Sequence, residues 1–499
     1  MSKSWGPGYS ELFSPPPGLE TMEECCLNEI ENLIPQRKLC NIISGGRGES
    51  PPSFNIMKPT FPSKQKKKPK SPLLPTIYPR SSLEKSFYIH YNEDSHRERE
   101  ETIMKLSNRI ESMPYSAIRK LTPYANKAKE AGKKVYHLNI GAPDVETPQE
   151  FFDAIKNIDM KVLSYAPSPG LPELREGMAK YYQRRDIPMT ADDIVVTAGG
   201  SEALLFTLLA ITDVGDEILT CEPYYTNYYS YFIETSTTVT TFPTVVEDDF
   251  HLPSREVIES KITDKTKAIL LANPGNPTGA VYTQEEIELI ADIAIEHDLW
   301  IIAEELYREF IFDGQKFHSF GTIERIQDRL ILQDSISKRF SGCGARIGNL
   351  ACMNKDFIAA ANKLATGRLA CPTVDMIGAA ALYDMDDSYL DQISKIYQER
   401  RDVIVEELNK IDGVKCNMAG GAFYTVADLP VDDAEDFCRW LLEEFDIDGE
   451  TLMMAPAAGF YEHSEDYMSQ VRLAYVLNVD ALRKAMHILD EGLKAYKAR

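Results

Sequence analysis

The middle of this chain alternates short apolar runs with longer amphipathic stretches. DIVVTAG (193–199) is followed by SEALLFTLLAI (201–211), and KAILLAN (267–273) by TQEEIELIADIAIEHD (283–298); LWIIAEE (299–305) and RLILQDS (329–335) come next. A short apolar run bounded by turn residues reads as a buried strand, and a helix-period stretch after it reads as a crossover. Such crossovers are right-handed and leave neighbouring strands parallel. The expected fold class is therefore α/β, a mainly parallel sheet covered by helices. Ligands of such sheets bind beyond the carboxyl ends of the strands, so the residues that follow each strand are where chemistry is to be sought.

Composition narrows the possibilities. The chain has 499 residues, enough for more than one domain, and a formal net charge of −23 with a pI near 4.9. A nucleic-acid partner calls for a basic footprint, so none is expected. No apolar run reaches the roughly 18 residues that span a bilayer, and no basic-then-apolar leader opens the sequence, so no membrane role is expected. Nine cysteines lie scattered without CxxC pairs, which suits reduced thiols in a cytoplasmic protein with no metal site. Thirteen of the 29 prolines precede residue 80. Residues 1–100 are accordingly expected to form a disordered Pro-rich extension, with a short helix around Met22–Ile34 and a solvated basic run KQKKKPK at 64–70. Beyond it, 101–145 and 373–499 read as two parts of a smaller domain, and 146–372 as the large domain.

Four post-strand segments stand out. Gly199, Gly200 and Ser201 open a helix, where free amides and the positive dipole end suit an anion. NPGNPTG (273–279) places two Asn-Pro steps at a strand end. Glu304 and Tyr307 in AEELY share a face if the chain turns helical there. DSISKRFSGCGARIG (334–348) carries Ser335 and Ser337, on one face if the segment is extended, then Lys338, small residues, and Arg346, whose planar fork suits a phosphate. With the phosphate assigned to Arg346 and the GGS turn, Lys338 is left as a nucleophile for a Schiff base. Phosphate, aldehyde, aromatic ring nitrogen and phenolic oxygen together describe pyridoxal 5'-phosphate (PLP).

On these motifs, together with HLNIGAPD, EPYY, GGAFY and QVRLAYV, the sequence over about 102–499 resembles the class I (fold-type I) PLP-dependent aminotransferases of the bacterial-type aspartate aminotransferase subgroup. The resemblance implies a large domain with a mainly parallel sheet, a smaller α/β domain and a homodimer. It implies that Lys338 carries the cofactor covalently, and that Asn276 and Tyr307 donate to its phenolic oxygen. Tyr225 stacks on the ring, and Gly200, Ser201, Ser335 and Arg346 cradle the phosphate. Tyr165 reaches the cofactor phosphate of the neighbouring subunit. Arg472 clamps the substrate α-carboxylate beside Gly141 and Asn276. The first acid of the family's Asp-Glu-x-Tyr, which pairs with the ring nitrogen, is Glu304 here, one methylene longer. Ala142 stands where the family often has a polar residue. The reaction implied is a ping-pong transfer from an aspartate-like L-amino acid to a 2-oxo acid such as 2-oxoglutarate. C–S lysis or aspartate β-decarboxylation on the same fold is one alternative, and a PLP-fold binding or regulatory protein another.

Overall fold

The computed structural model describes residues 104–499. The expected N-terminal extension, its short helix and its basic run lie outside the described residues.

Seven strands form the main sheet: β1 (Ile194–Thr197), β2 (Glu217–Glu222), β3 (Thr238–Pro243), β4 (Thr266–Ala272), β5 (Trp300–Glu304), β6 (Leu330–Ser335) and β7 (Gly348–Ala351). Their order is β1-β7-β6-β5-β4-β2-β3, and only β7 runs antiparallel to its neighbours. The four apolar runs read from the sequence are β1, β4, β5 and β6. Ile301, Ile302 and Ala303 of β5 are wholly buried, as a central parallel strand covered on both faces requires. Each such isoleucine contributes about 1.5–3 kcal/mol of burial. Strands β2, β3 and β7 carry no strand signal in the sequence. EILTCE and TVTTFP carry as many polar as apolar residues, and β7, GNLA, is too short to show a period.

Helices cover the sheet where local chemistry starts them. The TQEE segment opens the Gln284–Glu296 helix with a reciprocal cap: Thr283 Oγ1 accepts from Glu286 N at 3.2 Å, and Glu286 Oε2 accepts from Thr283 N at 2.7 Å. One apolar core joins the sheet to the helices over 151–390. A second gathers residues 121–138 and 306–312 with 393–493, including the antiparallel pair Tyr424–Asp428 and Gln470–Ala474. No helix among the described residues is long and apolar enough to cross a membrane.

Register decides what meets at the sheet's carboxyl edge. Ala272 pairs with Glu304 and Glu304 with Gln333, so the NPGN loop, the EELY turn and the SISK turn leave the sheet side by side. Gly348 pairs with Ser335 on one side and Thr197 on the other. Because β7 is antiparallel, its N-terminal end lies at this same edge and brings Arg346 to the start of the Gly200–Ile211 helix.

Candidate active site

A cavity of about 410 Å³ opens at that edge. Gly141, Gly200, Ser201, Tyr225, Asn276, Glu304, Tyr307, Ser335, Lys338, Arg346 and Arg472 all line it. Tyr165 does not; it is 81% exposed and projects elsewhere.

At one end, Ser201 sits in the first turn of the Gly200–Ile211 helix, whose N-cap is Gly199 rather than the serine. Gly199 has φ +80°, and a Cβ there would lie 2.3 Å from Arg346 Nη2. Arg346 donates to Ala198 O at 3.1 Å and to Cys343 O at 3.0 Å. The Glu202 carboxylate accepts from Ala198 N at 2.8 Å and pairs with Arg368. A guanidinium held against the positive end of a helix is unfavourable unless an anion lies between them, so this end is built for one.

Ser335 caps the next turn, its Oγ accepting from Ser337 N at 3.3 Å. Ile336–Arg339 is one helical turn, not an extended piece, so Ser335 and Ser337 do not share a strand face. The turn aims the half-buried Lys338 across the cavity, where Nζ donates to Gly141 O at 2.7 Å. Arg339 points the other way, wholly buried against Asp334.

Glu304, the last residue of β5, is 8% exposed and accepts from Tyr228 Oη at 2.7 Å. Burial raises its pKa above the ordinary carboxylate value, against the Tyr228 hydrogen bond and the Lys338 charge. Tyr307 lies in the turn beyond, and its hydroxyl meets that of Tyr424 at 2.9 Å. Burial pushes the Tyr307 phenol well up, so it stays a neutral hydrogen-bonding group. Of the two Asn-Pro carboxamides only one faces the cavity. Asn273 is spent on scaffolding, donating to His318 O at 3.1 Å and accepting from Tyr282 N at 3.1 Å. Asn276 Oδ1 accepts from Arg472 Nη1 at 3.0 Å.

Arg472 is 1% exposed, donates through Nη2 to Asn139 O at 2.6 Å, and lies 4.5 Å from the Tyr424 ring. Its Nε has no hydrogen-bond partner. Desolvation lowers its pKa from the ordinary value, with the Arg119 charge adding to the effect. A buried arginine with neutral partners and a spare donor is a receptor for a carboxylate.

The residues fit PLP: an anion cradle, a buried carboxylate for a ring nitrogen, an amine on a short turn, and two neutral groups, Asn276 and Tyr307, for a phenolic oxygen. Tyr228, Tyr424 and Arg119 also line the cavity but carry no sequence assignment. Tyr424 lies inside the GGAFY motif and Tyr228 three residues past Tyr225, so proximity to motifs is the only signal that marks them.

The family described as aminotransferase class I and II matches residues 133–448. An aspartate aminotransferase of Bacillus subtilis is 30% identical over 394 residues, 77% of this chain and 97% of that protein. Aromatic-amino-acid aminotransferase 2 of Thermococcus litoralis is 30% identical over 404 residues, 79% of this chain and all of that protein. The solved alanine aminotransferase of Pyrococcus furiosus superposes with a TM-score of 0.72 at 31% identity, covering 78% of this chain and 100% of its own.

Proposed function

This chain belongs to the class I and II aminotransferases as a PLP-dependent transaminase of the aspartate aminotransferase type, and we propose that an aspartate-like L-amino acid is its donor and a 2-oxo acid such as 2-oxoglutarate its acceptor. The observation that carries the reading is the convergence of Lys338, Glu304 and Arg472 on one cavity beside an anion cradle. Bound PLP supplies an aldehyde that condenses with amines and a protonated ring that accepts the electron pair left at the α-carbon.

The residues divide that work. Gly200, Ser201, Ser335 and Arg346 hold the phosphate, Tyr225 covers the ring, and Asn276 and Tyr307 donate to the phenolic oxygen. Glu304 keeps the ring nitrogen protonated as an opposite charge does for any base. Arg472, set beside Gly141 and Asn276, fixes the substrate by its α-carboxylate through a planar fork. Lys338 Nζ would hold the cofactor's aldehyde carbon until an amino acid takes its place, and its freed amine would then carry the α-proton from the substrate to that cofactor carbon, as base and then acid. The two halves run in ping-pong order.

The same reading divides the chain into a cofactor-binding domain over 146–372 and a smaller one from 101–145 and 373–499; one apolar core lies mostly in the first and the other mostly in the second, although the first core continues to Leu390 and the second takes in residues 306–312. It makes the protein a homodimer, with the exposed Tyr165 reaching the partner's phosphate cradle. It favours the cytoplasm, where the cysteines of the described residues, all free, stay reduced. C–S lysis, β-decarboxylation and a binding-only role are not favoured, since the relatives are aminotransferases. The test is a screen of amino donors against 2-oxoglutarate that follows the oxo-acid products; no transfer from any donor would refute the reading.

A further inference from the structure

A second cavity, of about 390 Å³, opens beside the EELY turn. Leu306 and Tyr307 line the active site, while the next two residues, Arg308 and Glu309, line this one, and the two cavities share no lining residue. Arg308 is 4% exposed, yet no nitrogen of its guanidinium makes a hydrogen bond with any described residue. Nη2 lies 2.7 Å from Glu305 Oε2, an ion pair without the alignment of a hydrogen bond. The ring centres of Tyr182 and Tyr181 lie 5.1 and 5.8 Å from the guanidinium carbon.

Glu305 does not account for this arginine. Its carboxylate already accepts from Ser319 Oγ at 2.8 and 3.0 Å and from Phe320 N at 3.1 Å. A buried guanidinium needs acceptors for its N–H groups as well as a counter-charge. A buried arginine with a spare donor on a cavity is what marks Arg472 as a carboxylate receptor, and Arg308 has more donors unanswered. The rest of the lining suits the same ligand. Lys316 is exposed and makes no hydrogen bond or ion pair with any described residue. Two carboxylates share the wall. Glu309 is taken by Arg185, at 2.8 Å from Nε, and Asp186 is exposed. With Glu305 balancing the charge of Arg308 but not its donors, the cavity is close to neutral and rich in unmet N–H groups. A small oxyanion answers them, because it accepts several N–H bonds at once and offers a planar fork two oxygens.

We propose that this cavity is a second anion site, in which Arg308 and Lys316 bind a small oxyanion, a carboxylate or a phosphate. The inference stands apart from the transaminase reading, since none of its residues lines the active site. An arginine held for Glu305 alone is the competing account.

The experiment is calorimetric titration of the holoenzyme with inorganic phosphate and, separately, with acetate, on the wild type, Arg308→Met and Lys316→Gln. The cofactor fills the active-site cradle and Arg472 is present in all three proteins, so a difference between them reports on this cavity. For at least one anion, Arg308→Met is expected to weaken binding about tenfold or more, the scale of a hydrogen bond to a charged group. Lys316→Gln is expected to weaken it about threefold, the scale of an exposed charge, and to leave the visible band of the bound cofactor unchanged. Loss of phosphate binding points to a phosphorylated ligand, and loss of acetate binding to a carboxylic acid. A loss in Arg308→Met below about threefold for both anions, or no saturable binding of either by the wild type, would overturn the inference. Where Arg308→Met does not fold, Lys316→Gln decides, and affinities within about twofold of the wild type for both anions would overturn it.

Discussion

Replacing Tyr228 by phenylalanine removes one hydroxyl and little else. The ring is 2% exposed, stacked on Tyr224 at 6.3 Å and edge-on to Tyr225 at 5.6 Å, and phenylalanine keeps both contacts. What goes is the 2.7 Å hydrogen bond to Glu304 Oε2. That bond favours ionised Glu304, while burial, the larger effect, favours the neutral acid. A hydrogen bond to a charged group is worth about 1.5–3 kcal/mol, so its loss tips the Glu304 ionisation equilibrium roughly 10- to 150-fold toward the protonated form. A protonated Glu304 cannot hold a proton on the ring nitrogen by charge. Activity should therefore fail at a higher pH on the acid side in Tyr228→Phe, with the high-pH plateau nearer the wild type. The assay is kcat/KM against pH for the holoenzyme, with the visible band of the bound cofactor titrated in parallel. An acid limb that stays in place, with activity lowered equally at every pH, would refute the reasoning and leave Tyr228 a packing residue.

Lys338→Ala should retain cofactor through the phosphate cradle yet lose amino transfer, and borohydride treatment of the wild type should fix the cofactor on Lys338 alone, as peptide mapping can check. Arg472→Lys should raise KM about 10- to 100-fold for every donor, because a point charge replaces a buried fork; an effect confined to one donor would move Arg472 to the side-chain pocket. In the cofactor-free protein, Glu304 has a folded-state pKa raised above its ordinary 4.5, so its stabilising contribution is present below that pH and is lost as pH rises through the folded value. Wild-type stability relative to Glu304→Gln should accordingly fall as pH rises above about 4.5 in urea denaturation, and a difference independent of pH would contradict it.

Local pattern was enough for part of this protein. The runs at 193–199, 267–273, 299–305 and 329–335 are strands because a short segment buried on both faces takes apolar residues through its middle, as at Ile194–Val196, Ala268–Ala272, Ile301–Ala303 and Leu330–Leu332. Parallel crossovers then oblige the residues after them to share one edge, which marks the NPGNPTG loop, Glu304, Tyr307, Ser335 and Lys338, while the choice of Asn276 over Asn273 came from the family resemblance. Other decisions were made over long sequence separations. Asn273 and Asn276 are each followed by proline, yet one is turned to His318 and Tyr282 and the other to Arg472, a choice set by partners 45, 9 and 196 residues away. Strands β2 and β3 hide because threonines and glutamates break their apolar period. The reversal at β7, which brings Arg346 to the start of a helix whose N-cap lies 147 positions earlier, leaves no mark in GNLA. Tyr228 beneath Glu304 comes from a segment that shares no motif with it. Which strand ends carry the reactive groups is written in the local sequence, because hydrophobic period and turn chemistry act over a few residues. Which polar side chains turn inward there was decided only by tertiary structure, because each buried donor or charge takes the partner that packing leaves within reach.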